Sequence, residues 1–158
     1  MGLEPTARES NLRDSIKKYF VDRIHKTHGI ALRMFDKNLG TPATQTKAVD
    51  QWVSISMGSK TRDIVSSLVL EIYCSTRKDA EGFKLSQLTD TVYQYLVDLT
   101  QTDRLARIPF YQSKPKGQAW VLLGSILVTD IIESDDIEGE DKTKFKILTV
   151  SLRWPANV

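Results

Sequence analysis

The sequence predicts an α+β domain: a mainly antiparallel sheet with two helices, in the order α-β-β-β-α-β-β-β, closing on a long C-terminal hairpin. Three observations carry this expectation. Two segments repeat apolar residues at the helical period. Several others alternate at period two, the mark of half-buried strands. The strands also come in groups, not one by one between helices, which argues against a parallel doubly wound sheet.

At 158 residues the chain has the length of one domain. Such a chain buries about two-thirds of its unfolded surface and needs neither disulfide nor metal to fold. With 41% hydrophobic and 27% charged residues, it has the composition of a globular protein and not of a disordered one. Residues 1–10 read as a loose arm and residues 11–158 as a single domain.

The first helix is expected to begin near Ser10 or Asn11, both good N-caps. Leu12, Ile16, Tyr19, Phe20 and Ile24 form one apolar stripe, with charged residues opposite. Gly29 is placed to end it, with His25 and His28 in the last turn, where positive charge suits the helix dipole. "IALRMFD" (30–36) reads as the first strand and the polar, Gly- and Pro-punctuated stretch 37–50 as a surface loop. "QWVSISM" (51–57) follows, with Val53, Ile55 and Met57 on one face and Ser54 and Ser56 on the other. "IVSSLVLEIYCST" (64–76) sets Leu68, Leu70, Ile72 and Cys74 on one face.

The second helix is expected over 85–99, with Leu85, Leu88, Val92, Tyr95, Leu96 and Leu99 as its apolar face. In "RIPFYQ" (107–112), Pro109 marks an edge or short strand. "AWVLLGSILVTDII" (119–132) is apolar on both faces, and Gly124 suggests a bulge. Its hairpin partner is "KFKILTVSLRW" (144–154), with Leu148, Val150, Leu152 and Trp154 on one face.

The tip of that hairpin concentrates charge. Glu133, Asp135, Asp136, Glu138, Glu140 and Asp141 fall within nine residues that contain no base. The net charge of the whole chain is +2; without this stretch it would be +8. The chain therefore reads as a mildly basic body with an acidic protrusion, a distribution suited to electrostatically steered contacts, including contacts between copies. A solvated loop that keeps the chain soluble is the plainer alternative.

The tip does not read as a calcium loop. With Gly139 at the sixth position, the twelfth is Phe145 where the EF-hand needs a Glu. Nor does a hydrated run of acids offer a pocket that separates carboxylate pKa values for catalysis. His25 and His28 have metal-compatible spacing but no completing acid or Cys nearby. The lone Cys74 reads as a small buried hydrophobe, in keeping with a reducing compartment. No phosphate-cradling Gly-rich loop, G-x-S-x-G or C-x-x-C occurs. The expectation is a protein that is not an enzyme and that takes no metal or other cofactor. No run approaches the roughly 20 apolar residues needed to cross a bilayer, so no membrane partner is expected.

Two basic loops complete the candidate contacts: Lys60 and Arg62 in "GSKTRD", and Lys114 and Lys116 in "SKPKGQ". They can touch phosphates, but no aromatic platform or recognition helix accompanies them in sequence.

The overall plan resembles the tail terminator (tail-completion) proteins of long-tailed bacteriophages. The likeness lies in the length, the helix "LRDSIKKYFVDRI", the strands "QWVSISM" and "SSLVLEIYCST", the helix "LSQLTDTVYQYLVDL" and the hairpin ending "KILTVSLRW". It covers nearly the whole chain as a pattern, since that family has no short signature motif. The loop at 37–50 and the acid-rich tip match no pattern of the family. The resemblance implies a structural virion protein at the tail–neck junction, assembled in the host cytoplasm. It would form a hexameric ring of identical copies that binds the last ring of tail-tube protein, stops tube polymerisation and offers a joint to a head-completion or neck protein. DNA would pass through the lumen unread, and no catalytic residues carry over. The alternatives are another head–tail connector and, in a different class, a DNA-binding module using the basic loops.

Overall fold

The computed structural model describes residues 8–35, 50–62, 64–112, 119–139 and 142–155. Helix α1 (Arg8–Phe20) runs on through a π-helical turn, Val21–His25, and a last turn, α2 (Lys26–His28). The expected stripe is its buried face: Leu12, Ile16, Tyr19, Phe20 and Ile24 are all in the core. The helix starts earlier than expected. Ser10 and Asn11 lie inside it, and Asn11 is buried, so packing overrides their preference for the cap. Residues 8–10 thus belong to the helix and not to an arm; residues 1–7 lie outside the described residues. Gly29 closes the helix with φ 69°, a left-handed conformation that glycine adopts without strain.

Among the described residues, seven strands form one sheet in the order β1-β2-β3-β7-β5-β4, with β6 paired to β7. They are β1 (Ala31–Met34), β2 (Gln51–Thr61), β3 (Val65–Thr76), β4 (Arg107–Gln112), β5 (Val121–Glu133), β6 (Ile137–Glu138) and β7 (Lys144–Pro155). Every pair is antiparallel except β1 and β2, which run parallel. The fold class is α+β, as the grouping of strands predicts. The hairpin is also as expected: β5 lies beside β7, with Leu127 opposite Arg153 and Glu133 opposite Leu148. A bulge interrupts the β4–β5 ladder beside Gly124. Pro109 sits on β4, which is an edge strand. The loop expected at 37–50 falls outside the described residues except for Asp50.

Helix α3 (Phe83–Tyr93) is shorter than the expected 85–99. Its end tightens into i+3 turns, in which the Tyr95 and Leu96 N–H groups bond to the Val92 and Tyr93 carbonyls. Asp98 then accepts from the Thr100 N–H at 3.0 Å and the Thr100 hydroxyl at 2.6 Å. This local turn competes with the helix and stops it. Leu96 is still buried, but Leu99, 79% exposed, is not on an apolar face.

One continuous core joins the helices to one face of the sheet. Val53 and Ile55 of β2, Leu68, Leu70, Ile72 and Cys74 of β3, and Leu148, Val150 and Leu152 of β7 are all in it. The outer face carries half-buried Tyr73, Phe145, Ile147 and Thr149. Ile132, opposite Thr149, is 60% exposed.

Candidate functional site

The charged ends of the sheet are the candidate contact surfaces. At one end, β5 stops at Glu133 and the chain turns through Asp135 and Asp136 into the short β6. The turn is held locally. The Ser134 N–H donates to the Ile147 carbonyl at 2.9 Å, and the Ile147 N–H donates to the Ser134 hydroxyl at 2.8 Å.

The acidic run is not a bare protrusion. Lys146 on β7 reaches Glu133 at 3.2 Å and Asp136 at 3.3 Å, neutralising part of it. Partial burial works against the Lys146 charge, but the two carboxylates outweigh it and hold the ammonium above the usual lysine range. The neighbouring Lys144 donates to the Ala80 carbonyl at 2.6 Å. A shallow cleft of about 490 Å³ lies between that loop and the tip, lined by Lys78, Asp79, Ala80, Glu138, Lys142 and Lys144. Asp135 and Glu138 stay exposed at the surface. Glu140 and Asp141 lie outside the described residues.

Lys60 and Arg62 stand at the other end. Thr61 lies opposite Ser67, while Ile137 of the tip pairs with Phe145, opposite Ser75, so about eight residues of strand, or roughly 26 Å, separate them from the tip. Lys60 lies near the end of β2, its ammonium 5.9 Å from the centre of the Trp154 ring, and Arg62 is exposed just beyond. Lys114 and Lys116 lie outside the described residues.

This same end holds a feature that the linear sequence does not display. Tyr111 at the end of β4 and Trp120 just before β5 meet edge to face, 5.7 Å between ring centres. The Lys18 ammonium from α1 lies 5.8 Å from the Tyr111 ring centre and 5.4 Å from that of Trp120. Lys18 also pairs with Asp22 at 2.9 Å, and Lys26 reaches the same carboxylate at 3.1 Å. The hydrogen bond from Lys18 is the main reason that the Asp22 carboxyl sits below its usual range. Arg23 stacks on Tyr19, 3.8 Å from its ring centre, and lines a second cleft together with Lys18 and Tyr111. The apolar side chains of Val121, Leu122 and Leu123 follow Trp120 and are exposed, Leu122 by 62%. Lys18 on α1 is far in sequence from Tyr111 and Trp120, so no local spacing brings the cation to the two rings.

The remaining candidates have structural roles. The His25 ring bonds to the Ile30 carbonyl at 3.0 Å, and the His28 ring to the Tyr95 hydroxyl at 2.8 Å. No cluster of three or more metal-ligating side chains occurs among the described residues. Cys74 is fully buried on β3, and burial pushes its thiol up to about 12. Among the described residues no helix is long and apolar enough to cross a membrane.

No protein-family model and no curated protein matches this chain. The chain is similar in fold to a protein of known structure that carries no functional name. The two share 10% sequence identity with a TM-score of 0.58, over 96% of each chain. At that identity the likeness is one of fold.

Proposed function

We propose that this protein is a structural virion component that assembles into a ring, with six copies expected, and caps a phage tail tube. In this role it stops tube polymerisation, presents a joint to a head-completion or neck protein, and lets DNA pass through the lumen without reading it. Its location is the tail–neck junction, and its role is not catalytic. One observation carries this reading. The long C-terminal hairpin exposes apolar side chains along its first arm, Leu122 and Ile132 among them, on a sheet whose helices pack against one face. A monomer keeps such surface small, and contact with further copies or with tube subunits covers it. The resemblance in overall plan to tail terminators supports the same role.

A nucleic-acid module is the second reading, favoured by the Lys18–Tyr111–Trp120 ledge, since an aromatic beside a cation suits a stacked base. Native mass spectrometry at low and moderate salt, alone and with tail-tube protein, separates the two. A discrete ring in either condition is the expected result. A monomer that ignores tube protein but binds DNA with steep salt dependence would overturn the ring.

A further inference from the structure

We infer that copies join head to tail, the hairpin tip at 135–138 of one copy seating on the Lys18–Trp120 ledge of the next. This deepens the ring reading and rests on it.

The two surfaces match in chemistry. On the ledge, Lys18 and Lys26 share one carboxylate, Asp22, and Arg23 adds a further positive charge beside them. Trp120, 43% exposed, and Leu122 give it an apolar floor. An exposed Trp against a half-buried Tyr, beside cations, is the composition of an interface hot spot. The tip is the converse. Ile137 is exposed between Asp136 and Glu138, with Asp135 next to them. Lys146 is shared between Glu133 and Asp136, which leaves Asp135 and Glu138 to meet a partner. An apolar side chain framed by carboxylates fits an aromatic framed by ammonium and guanidinium groups.

Geometry decides which molecule supplies each half. β5 runs from the ledge to the tip and is 13 residues long, or about 40 Å. A chain therefore cannot lay its own tip on its own ledge. The contact is made by another molecule, and a second copy carries the matching surface. Since the two patches differ, the interface is heterologous, and repeated with the right rotation it closes into a ring.

The experiment is native mass spectrometry on full-length wild type and on Lys18→Glu, Glu138→Lys, Trp120→Ala and the double reversal Lys18→Glu/Glu138→Lys, alone and with tail-tube protein. Each single variant should weaken assembly about tenfold or more. The double reversal should recover much of it, because every junction then pairs a reversed ledge with a reversed tip. In parallel, a photo-crosslinking residue in place of Ile137 should join to a peptide of another chain that carries Lys18 or Trp120. Crosslinks confined to other surfaces, or a double reversal no better than the weaker single variant, would overturn the inference. A wild-type ring that none of the variants disturbs would also overturn it, while the ring reading stands. A wild type that forms no ring in either condition removes both. Binding of DNA or of an unrelated acidic protein to the ledge of a monomer gives the ledge another occupant and likewise overturns it.

Discussion

The Ser15 hydroxyl accepts the Tyr111 N–H at 2.7 Å and donates to the Tyr111 carbonyl at 3.2 Å. One side chain on α1 thus does for β4 what a neighbouring strand would do. β4 ends the sheet, and an open edge is a template for unwanted pairing. The same contact fixes α1 against the strand that carries Tyr111, and so sets Lys18 over the ledge.

Ser15→Ala removes both bonds and leaves the Tyr111 backbone groups without their partner. The expected cost is about 1–3 kcal/mol. Urea unfolding should show a lower midpoint with an unchanged slope. Ser15→Thr, which keeps the hydroxyl, should lose less. If both variants unfold like the wild type, the edge is held by other contacts.

Ser54 predicts the opposite sign. Its hydroxyl is fully buried on β2 and has no hydrogen-bond partner among the described residues. A buried polar group without a partner bears its full desolvation cost. Ser54→Ala removes that cost for a small loss of volume, and should stabilise the fold by about 1 kcal/mol. A rise in thermal midpoint checks it. A clear fall would mean that the hydroxyl is satisfied after all.

Asp79 makes the fold sensitive to acid. Helix α3 begins after Gly82, which has no side chain to cap it. Asp79 reaches forward instead, accepting the Leu85 N–H at 2.9 Å and the Lys84 N–H at 3.3 Å. Burial disfavours its charge. The Leu85 and Lys84 amides with the Thr76 hydroxyl outweigh that and hold the carboxyl below its ordinary 3.8. A lowered pKa contributes stability that is present above the unfolded value and lost as pH falls through the folded one. The loss therefore falls below about pH 4. Asp79→Asn should cost about 1 kcal/mol near neutrality and should flatten that part of the acid titration of stability. An equal acid dependence in variant and wild type would remove Asp79 as its source.

What the sequence made legible was local. The stripe from Leu12 to Ile24 and the alternation of Leu68, Leu70, Ile72 and Cys74 each lie within one element, so their period alone places them in the core. Apart from the β5–β7 hairpin, relationships between elements are not legible. Ser15 and Tyr111 are 96 positions apart, and nothing near either announces the other. The parallel direction of β1 depends on how the chain crosses to β2, which period does not encode. The end of α3 is not legible either, because the apolar spacing continues to Leu99 while the turn at Asp98 takes the backbone elsewhere. At the tip, the acids were plain to read. Their partner Lys146 follows from the registers of β5 and β6 on β7, which set Leu148 opposite Glu133 and Phe145 opposite Ile137.

That register gives the last expectation, at Lys146. Its ammonium is all that the described contacts place between Glu133 and Asp136. Lys146→Met keeps the length of the stem but leaves those two carboxylates facing each other. The tip should then loosen, since β6 is only two residues long and pairs with β7 alone. Faster amide hydrogen exchange at Gly139, whose N–H bonds to the Thr143 carbonyl at 2.8 Å, is the readout. The global cost should be small, about 1 kcal/mol or less, because Glu133 and Asp136 are both largely in water. The pH dependence has the opposite sense to that of Asp79. The Lys146 pKa is raised above its usual 10.5, so its contribution is complete below that value and disappears as pH rises through the folded one. Exchange at the tip of the wild type should therefore approach that of the variant only in strong alkali, after correction for the intrinsic rate. If exchange at Gly139 is already as fast in the wild type at neutral pH, Lys146 does not hold the tip. The surface offered to a neighbouring copy is then a flexible acidic loop and not a formed one.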